Sequence, residues 1–144
     1  MTRLGDDDGS TLPLTIFYGV LSLVLVLLVV AASSLYLERK RLFTLADGAA
    51  LVGAESFALA EVASTAEGPR PTLLTRDVAS AVTTYLAEAP TQSFTALAVE
   101  RAESSDGRSA TVSLSAYWRP PVITLLIPDG LRIEVTAVAR SVFS

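Results

Sequence analysis

The stretch that decides the fold covers residues 37 to 64 and reads "LERKRLFTLADGAALVGAESFALAEVAS". It follows a long uncharged run and keeps the helical spacing of three and four residues while it gains charged side chains. We predict one helix that continues from the uncharged run to the Gly and Pro residues at 67–71. One stripe of this helix is expected to form a docking surface, because small side chains let another helix approach closely. We call it the small-residue stripe: Ala46, Ala49, Ala50, Gly53 and Phe57.

The sequence does not decide which surface packs against the small-residue stripe. The stripe can pack against the C-terminal part of the same chain, which is the interpretation favoured here, or against another subunit. The two arrangements can also coexist. In either case the helix is expected to extend beyond the membrane over residues 38–66.

The segment upstream is long and apolar enough to cross a bilayer. No charged residue lies between Gly9 and Leu37, and residues 12–32 are almost wholly apolar. About 20 helical residues, at ~1.5 Å each, cover the ~30 Å hydrocarbon core. We therefore predict a polar leader at 1–11 and a transmembrane helix at 12–37. A cleavable signal peptide is the main alternative, although the leader is acidic and the apolar run exceeds the usual length of about 7–15 residues.

Downstream, the pattern predicts a small head domain at 67–144. Residues 75–89 read as a helix with Thr75 as N-cap and Pro90 as its stop. The period then changes to two, over residues 94–103, 109–118 and 131–143, and Asp106-Gly107 is a hairpin signal between the first two strands. The predicted fold class is α+β, with a long N-terminal helix, a second short helix and a three-stranded antiparallel sheet.

The connection between the second and third strands is unusually apolar. It reads "RPPVITLLIPDG" at 119–130. Either its aliphatic side chains fold back into the core of the head, the interpretation favoured here, or they form a surface for a partner or the membrane. We call these residues the apolar patch: Val122, Ile123, Leu125, Leu126 and Ile127.

The composition argues against catalysis. The chain has no Cys and no His, so thiol chemistry and the commonest general base and metal ligand are missing. Glu100 and Glu103 fall on opposite faces of a predicted strand, and the acidic leader at 5–9 is a poor cation site. The net charge is −4 and the basic residues cluster only at 39–41, which does not favour nucleic acid. We predict no enzyme, no cofactor, no metal site and no small-molecule substrate.

The order of these features resembles the TadE/TadG-like proteins of the tight-adherence, or Flp-type, pilus assembly system, in particular their actinobacterial members. The resemblance is carried by "LADGAALVGA" at 45–54 and by "GSTLPL" at 9–14, and it covers about the first 60 residues. Processed pilins carry a Glu at the fifth position after the cleaved glycine, where this chain has Leu14. We therefore expect the candidate processing site, between Gly9 and Ser10, to stay uncleaved.

The resemblance implies a non-catalytic structural component of pilus assembly or secretion, a membrane-retained minor pilin-like protein. Its implied partners are the lipid bilayer and other pilus-assembly membrane proteins or pilin-like subunits. It also implies a cytoplasmic N-terminus and an extracytoplasmic head, whereas the basic cluster at 39–41 favours the opposite orientation under the positive-inside rule. The alternative function is a single-pass, membrane-anchored ligand-binding or sensor module.

Overall fold

A computed structural model of the chain describes residues 11–56, the backbone of 63–65 and 68–70, and residues 72–140. The helices are α1 (Thr11–Glu55), α2 (Thr75–Glu88) and the short α3 (Pro121–Thr124). The strands are β1 (Ala63–Thr65), β2 (Gly68–Arg70), β3 (Thr95–Glu103), β4 (Ser109–Trp118) and β5 (Leu131–Arg140). The predicted α+β class is confirmed.

The long helix α1 ends earlier than the prediction placed it. It stops at Glu55 rather than near residue 66, and Ala63, predicted on the helix, lies in β1, which pairs with β2. The Ser56 hydroxyl donates to the Gly53 carbonyl at 2.7 Å, so a terminal carbonyl is satisfied without another helical turn. The alanine-rich sequence after Ser56 contains no strong helix breaker, which is why periodicity alone extended the helix.

The main sheet is antiparallel with the order β3-β4-β5. Asp106 Oδ1 accepts hydrogen bonds from the backbone N–H groups of Arg108 and Ser109, and Gly107 has a φ of 67°, which favours glycine. The predicted Asp106-Gly107 turn is therefore present between β3 and β4. Two β-bulges interrupt the β3–β4 register, one of them at Glu100 between Val99 and Arg101.

Helices α1 and α2 cover one face of this sheet. Alternate residues of β4 point to that face and are buried, as the period of two predicted, and the C-terminal half of α1 lies across β4 and β5 while α2 packs against α1. The largest fully buried side chains are Leu42, Val78, Val82, Val112 and Leu114.

Two details of the head differ from the sequence predictions. Thr75 does not cap α2: its hydroxyl donates to the Ser104 carbonyl and accepts from the Ser104 N–H, and Leu74 occupies the N-cap position. Under the period of two, Leu131 shares a face with the buried residues Ile133, Val135 and Ala137, yet it is 39% exposed. It is the first residue of β5 and lies opposite Trp118 of β4.

Candidate interaction surfaces

The described part of the small-residue stripe packs against the chain's own head. Ala46, Ala49 and Ala50 are completely buried and Gly53 is buried with them. A Cβ atom added to Gly53 would lie 3.1 Å from Val78 Cγ1 on α2. These four residues pack against α2 and the sheet of the same chain. Phe57 lies outside the described residues.

The N-terminal half of α1 is bare. Every side chain from Thr11 to Val30 is exposed, and α1 is the one helix in the described part of the chain that is long and apolar enough to cross a membrane. Packing of the head begins at Ala31 and Leu35, inside the predicted 12–37 span. The candidate processing residues Gly9 and Ser10 lie outside the described residues.

A hydrogen bond joins the end of β4 to α1 near the start of the part of α1 that packs against the head. Trp118 Nε1–H, at the end of β4, donates to Ser34 Oγ on α1 at 3.2 Å, and the Trp118 side chain is buried. Buried indole N–H groups require such a partner. The contact fixes the height of the sheet relative to the apolar half of α1, and no sequence pattern indicated it.

The apolar patch is mostly exposed. Leu125 and Leu126 are 83% and 82% exposed, Val122 and Ile127 are less so, and only Ile123 is partly packed against the core. The favoured interpretation, in which these side chains fold back into the core, is therefore wrong for four of the five residues. Helix α3 and the turn after it hold the segment away from the core face of the sheet.

A second exposed apolar surface runs along the C-terminal part of α1. Tyr36, Phe43 and Leu51 are each about half exposed or more, and their spacing of seven and eight residues places them on one helical face. We call these three residues the outer stripe. It lies on the side of α1 that the head leaves open, whereas Leu42, Ala46 and Ala49 fill the side that the head covers.

The second face of the sheet is polar and carries one charge pair across the strands. Glu100 Oε1 is 2.6 Å from Arg132 Nη2 and accepts a hydrogen bond from Ser115 Oγ, also at 2.6 Å. These two hydrogen bonds, that from Ser115 first, lower the pKa of the Glu100 carboxyl, and Glu100 in turn raises the pKa of Arg132. Glu100 lies at the bulge of β3, and through Ser115 and Arg132 it links β3 to β4 and β5.

The described residues contain no cluster of acidic side chains arranged as a metal site. No three acidic side chains among them are placed to hold a metal ion. Glu100 is paired with Arg132, and Glu103 lies 3.5 Å from Arg101.

One depression of about 300 Å³ is lined by Thr95, Ala96, Tyr117, Arg119 and Asp129. It is open to solvent, whereas small-molecule sites enclose most of their ligand. Arg119, the cation in its lining, already donates from its Nη2 to the Pro128 carbonyl at 2.9 Å.

In the described part of the chain, a bare apolar half of α1 continues into a half onto which an α+β head folds, which is the architecture of a protein with one candidate membrane span among these residues. Residues 9–56, or 48 of the 144 residues, match the Flp pilus-assembly TadE/G-like family. The resemblance to TadE/TadG-like proteins is therefore confirmed over α1, which lies entirely within these residues. The comparisons with curated proteins and with solved structures found no match.

Proposed function

We propose that this chain is a non-catalytic, membrane-retained, minor pilin-like component of a tight-adherence pilus assembly or secretion system. The observation that carries the proposal is the TadE/G-like match, whose limits of 9 and 56 nearly coincide with those of α1. The matched segment of this chain is thus a helix with an apolar half and a half that packs against the head. Such a helix serves to place a folded head at a fixed height beside a membrane.

The surface proposed for contact with other subunits is the outer stripe. Ala46, Ala49, Ala50 and Gly53 pack against the chain's own head, which supports the approach of a neighbouring helix to α1 from its open side. Tyr36, Phe43 and Leu51 expose large apolar side chains there. Because these side chains are already partly buried, covering the rest of each stabilises a helix–helix contact by roughly half of the ~1.5–3 kcal/mol that full burial contributes.

Site-specific photo-crosslinking tests this surface. A photoreactive amino acid is placed at Phe43 or at Leu51 in the full chain, in cells that assemble the pilus, and Glu134 on the polar face of the sheet is the matched exposed control. Positions 43 and 51 should give adducts with pilus-assembly membrane proteins or with a second copy of the chain, and position 134 should not. Equal labelling at all three positions, or adducts with unrelated proteins alone, would contradict the proposed surface.

The system-level role has its own test. Deletion of the gene should abolish surface pili, and the gene should lie beside those of a secretion ATPase and two polytopic membrane proteins. Normal piliation in the deletion strain would overturn the proposed function.

We propose further that the N-terminus is cytoplasmic and the head extracytoplasmic, as the resemblance implies. The cluster Arg39, Lys40 and Arg41 opposes this orientation, although Glu38 offsets part of its charge, with a carboxylate oxygen 4.0 Å from Arg41 Nη1. A reporter enzyme that is active only outside the cytoplasm, fused after Ser144, should be active. Activity of a cytoplasmic reporter instead would reverse the orientation.

A further inference from the structure

The direction of β4 relative to α1 determines where the apolar patch lies. One end of β4 meets α1 at Gly53, where an added Cβ would be 3.3 Å from Ala110 Cβ, and the other end meets it at Ser34 through Trp118. These contacts are 19 residues apart on α1 and eight apart on β4. The corresponding lengths are about 28 Å of helix and about 26 Å of strand, so β4 runs antiparallel to α1 over the whole height of the head. The connection after Trp118 therefore leaves the sheet at the end that faces the N-terminal half of α1.

That end of the head coincides with the end of the bare part of α1, which is seven residues short of the predicted 12–37 span. The bare part of α1 runs from Thr11 to Val30, which is 20 residues. Its length of about 30 Å equals the thickness of the hydrocarbon core. The first residues of α1 that touch the head, Ala31, Ser34 and Leu35, thus lie where hydrocarbon gives way to the headgroup region.

The chemistry of the connection suits an apolar interface. Residues 120–128 carry no charge, and Arg119 and Asp129 flank them. Of its backbone N–H groups, those of Ile123, Thr124, Leu126, Ile127 and Gly130 donate to carbonyls within the segment, and three of its residues are prolines, which have no N–H. Backbone groups that are satisfied internally are a requirement for entry into a lipid environment.

We propose that the apolar patch inserts into the interfacial layer of the bilayer, as a second membrane contact beside α1. Leu125 and Leu126 enter the region between headgroups and acyl chains, about 5–10 Å deep, as interfacial segments do. The head is then held at two points, which restricts its tilt and rotation about α1. The inference rests on the membrane span of α1, and it holds for either orientation and with or without a role in pili.

Depth-dependent fluorescence quenching tests this contact in the full chain. Because the chain has no cysteine, Leu126→Cys, Val20→Cys and Ser105→Cys each provide one site for an environment-sensitive label. Val20 is near the middle of the bare half of α1, and Ser105 is an exposed residue of the β3–β4 turn, at the far end of the head. The variants are reconstituted in phosphatidylcholine/phosphatidylglycerol vesicles whose acyl chains carry bromine either near the headgroup or near the chain end. The Trp118 emission of each variant confirms that the head is folded.

The label at 126 should shift to shorter emission wavelength on reconstitution and be quenched best by bromine near the headgroup. The label at 20 should be quenched best by bromine near the chain end, and the label at 105 by neither. If the label at 126 behaves like that at 105, the patch stays in water and is left for a protein partner, and the proposal is wrong. If the label at 20 is also unquenched, α1 does not span and the premise fails as well. Neither result bears on whether the chain takes part in pilus assembly.

Discussion

Replacement of Gly53 by Leu is the sharpest test of how α1 carries the head. Gly53 faces the point where α1, α2 and β4 meet, and an added Cβ would lie 3.1 Å from Val78 Cγ1, 3.3 Å from Ala110 Cβ and 3.5 Å from Val82 Cγ2. All three neighbours are completely buried. The two shorter distances are tighter than ordinary carbon contacts, and the remaining atoms of a Leu side chain have no free space to enter.

The magnitude follows from two opposing effects. Overpacking of a dense core costs about 1–3 kcal/mol, and the upper half of that range applies here because both valines are β-branched and cannot swing aside. The change from Gly to Leu within a helix recovers somewhat less than about 1 kcal/mol of helix propensity. The net loss in the free energy of unfolding should be about 1–2 kcal/mol. For a domain of this size each kcal/mol lowers Tm by about 4–8 °C.

The assay is thermal unfolding of the full chain in detergent micelles, followed through the emission of Trp118, the single tryptophan. Gly19→Leu is the matched control, because a Cβ at Gly19 meets no atom within 4 Å. Gly53→Ala is the graded variant: its mild overpacking and its gain in helix propensity should nearly cancel. An unchanged Tm for Gly53→Leu would refute the packing argument. If crosslinking to partners fell at the same time, the small-residue stripe would face another subunit.

Three other predictions concern single residues. Ser34→Ala removes the acceptor of Trp118 Nε1–H at 3.2 Å and should lower the stability of the head by about 1 kcal/mol, measured by the same unfolding assay; an unchanged Tm would show that water replaces the hydroxyl. The hydrogen bonds from the Arg108 and Ser109 N–H groups, with that of the Ser109 hydroxyl, lower the pKa of Asp106 from 3.8 to about 2. A lowered folded-state pKa stabilises the fold above the ordinary pKa, and the contribution is lost as pH falls through the folded value. The Tm advantage of the wild type over Asp106→Asn should therefore be complete at neutral pH and shrink below about pH 4, and a constant difference across the range would contradict this. Finally, the intact mass of the native protein should include residues 1–9, because Leu14 replaces the Glu of processed pilins; a mass short by those residues would show cleavage after Gly9.

Local patterns were enough to predict most elements of the head. The alternation along β4 placed Val112, Leu114 and Trp118 on one face, and the structure buries all three. The Asp106-Gly107 turn set the hairpin, because its conformation depends on adjacent residues alone. Where several elements compete, the same patterns were insufficient: α1 ends at Glu55 although its small-residue spacing continues, and Thr75 bonds to Ser104, 29 residues away, instead of capping its own helix.

The sequence by itself determined the apolar run, the helical stripe after it and the three alternating strands, since each follows from the spacing of side chains along a few turns or one strand. Only the tertiary structure decided what covers these surfaces. It filled the small-residue stripe with the chain's own α2 and sheet, left the outer stripe open, and turned Leu125 and Leu126 out of the core. It also set the head at the height of Ser34 on α1, because Trp118 meets that residue at the end of β4. Hydrophobicity shows that a side chain gains from leaving water, but whether a core, a subunit or a bilayer receives it depends on contacts between residues far apart in the chain.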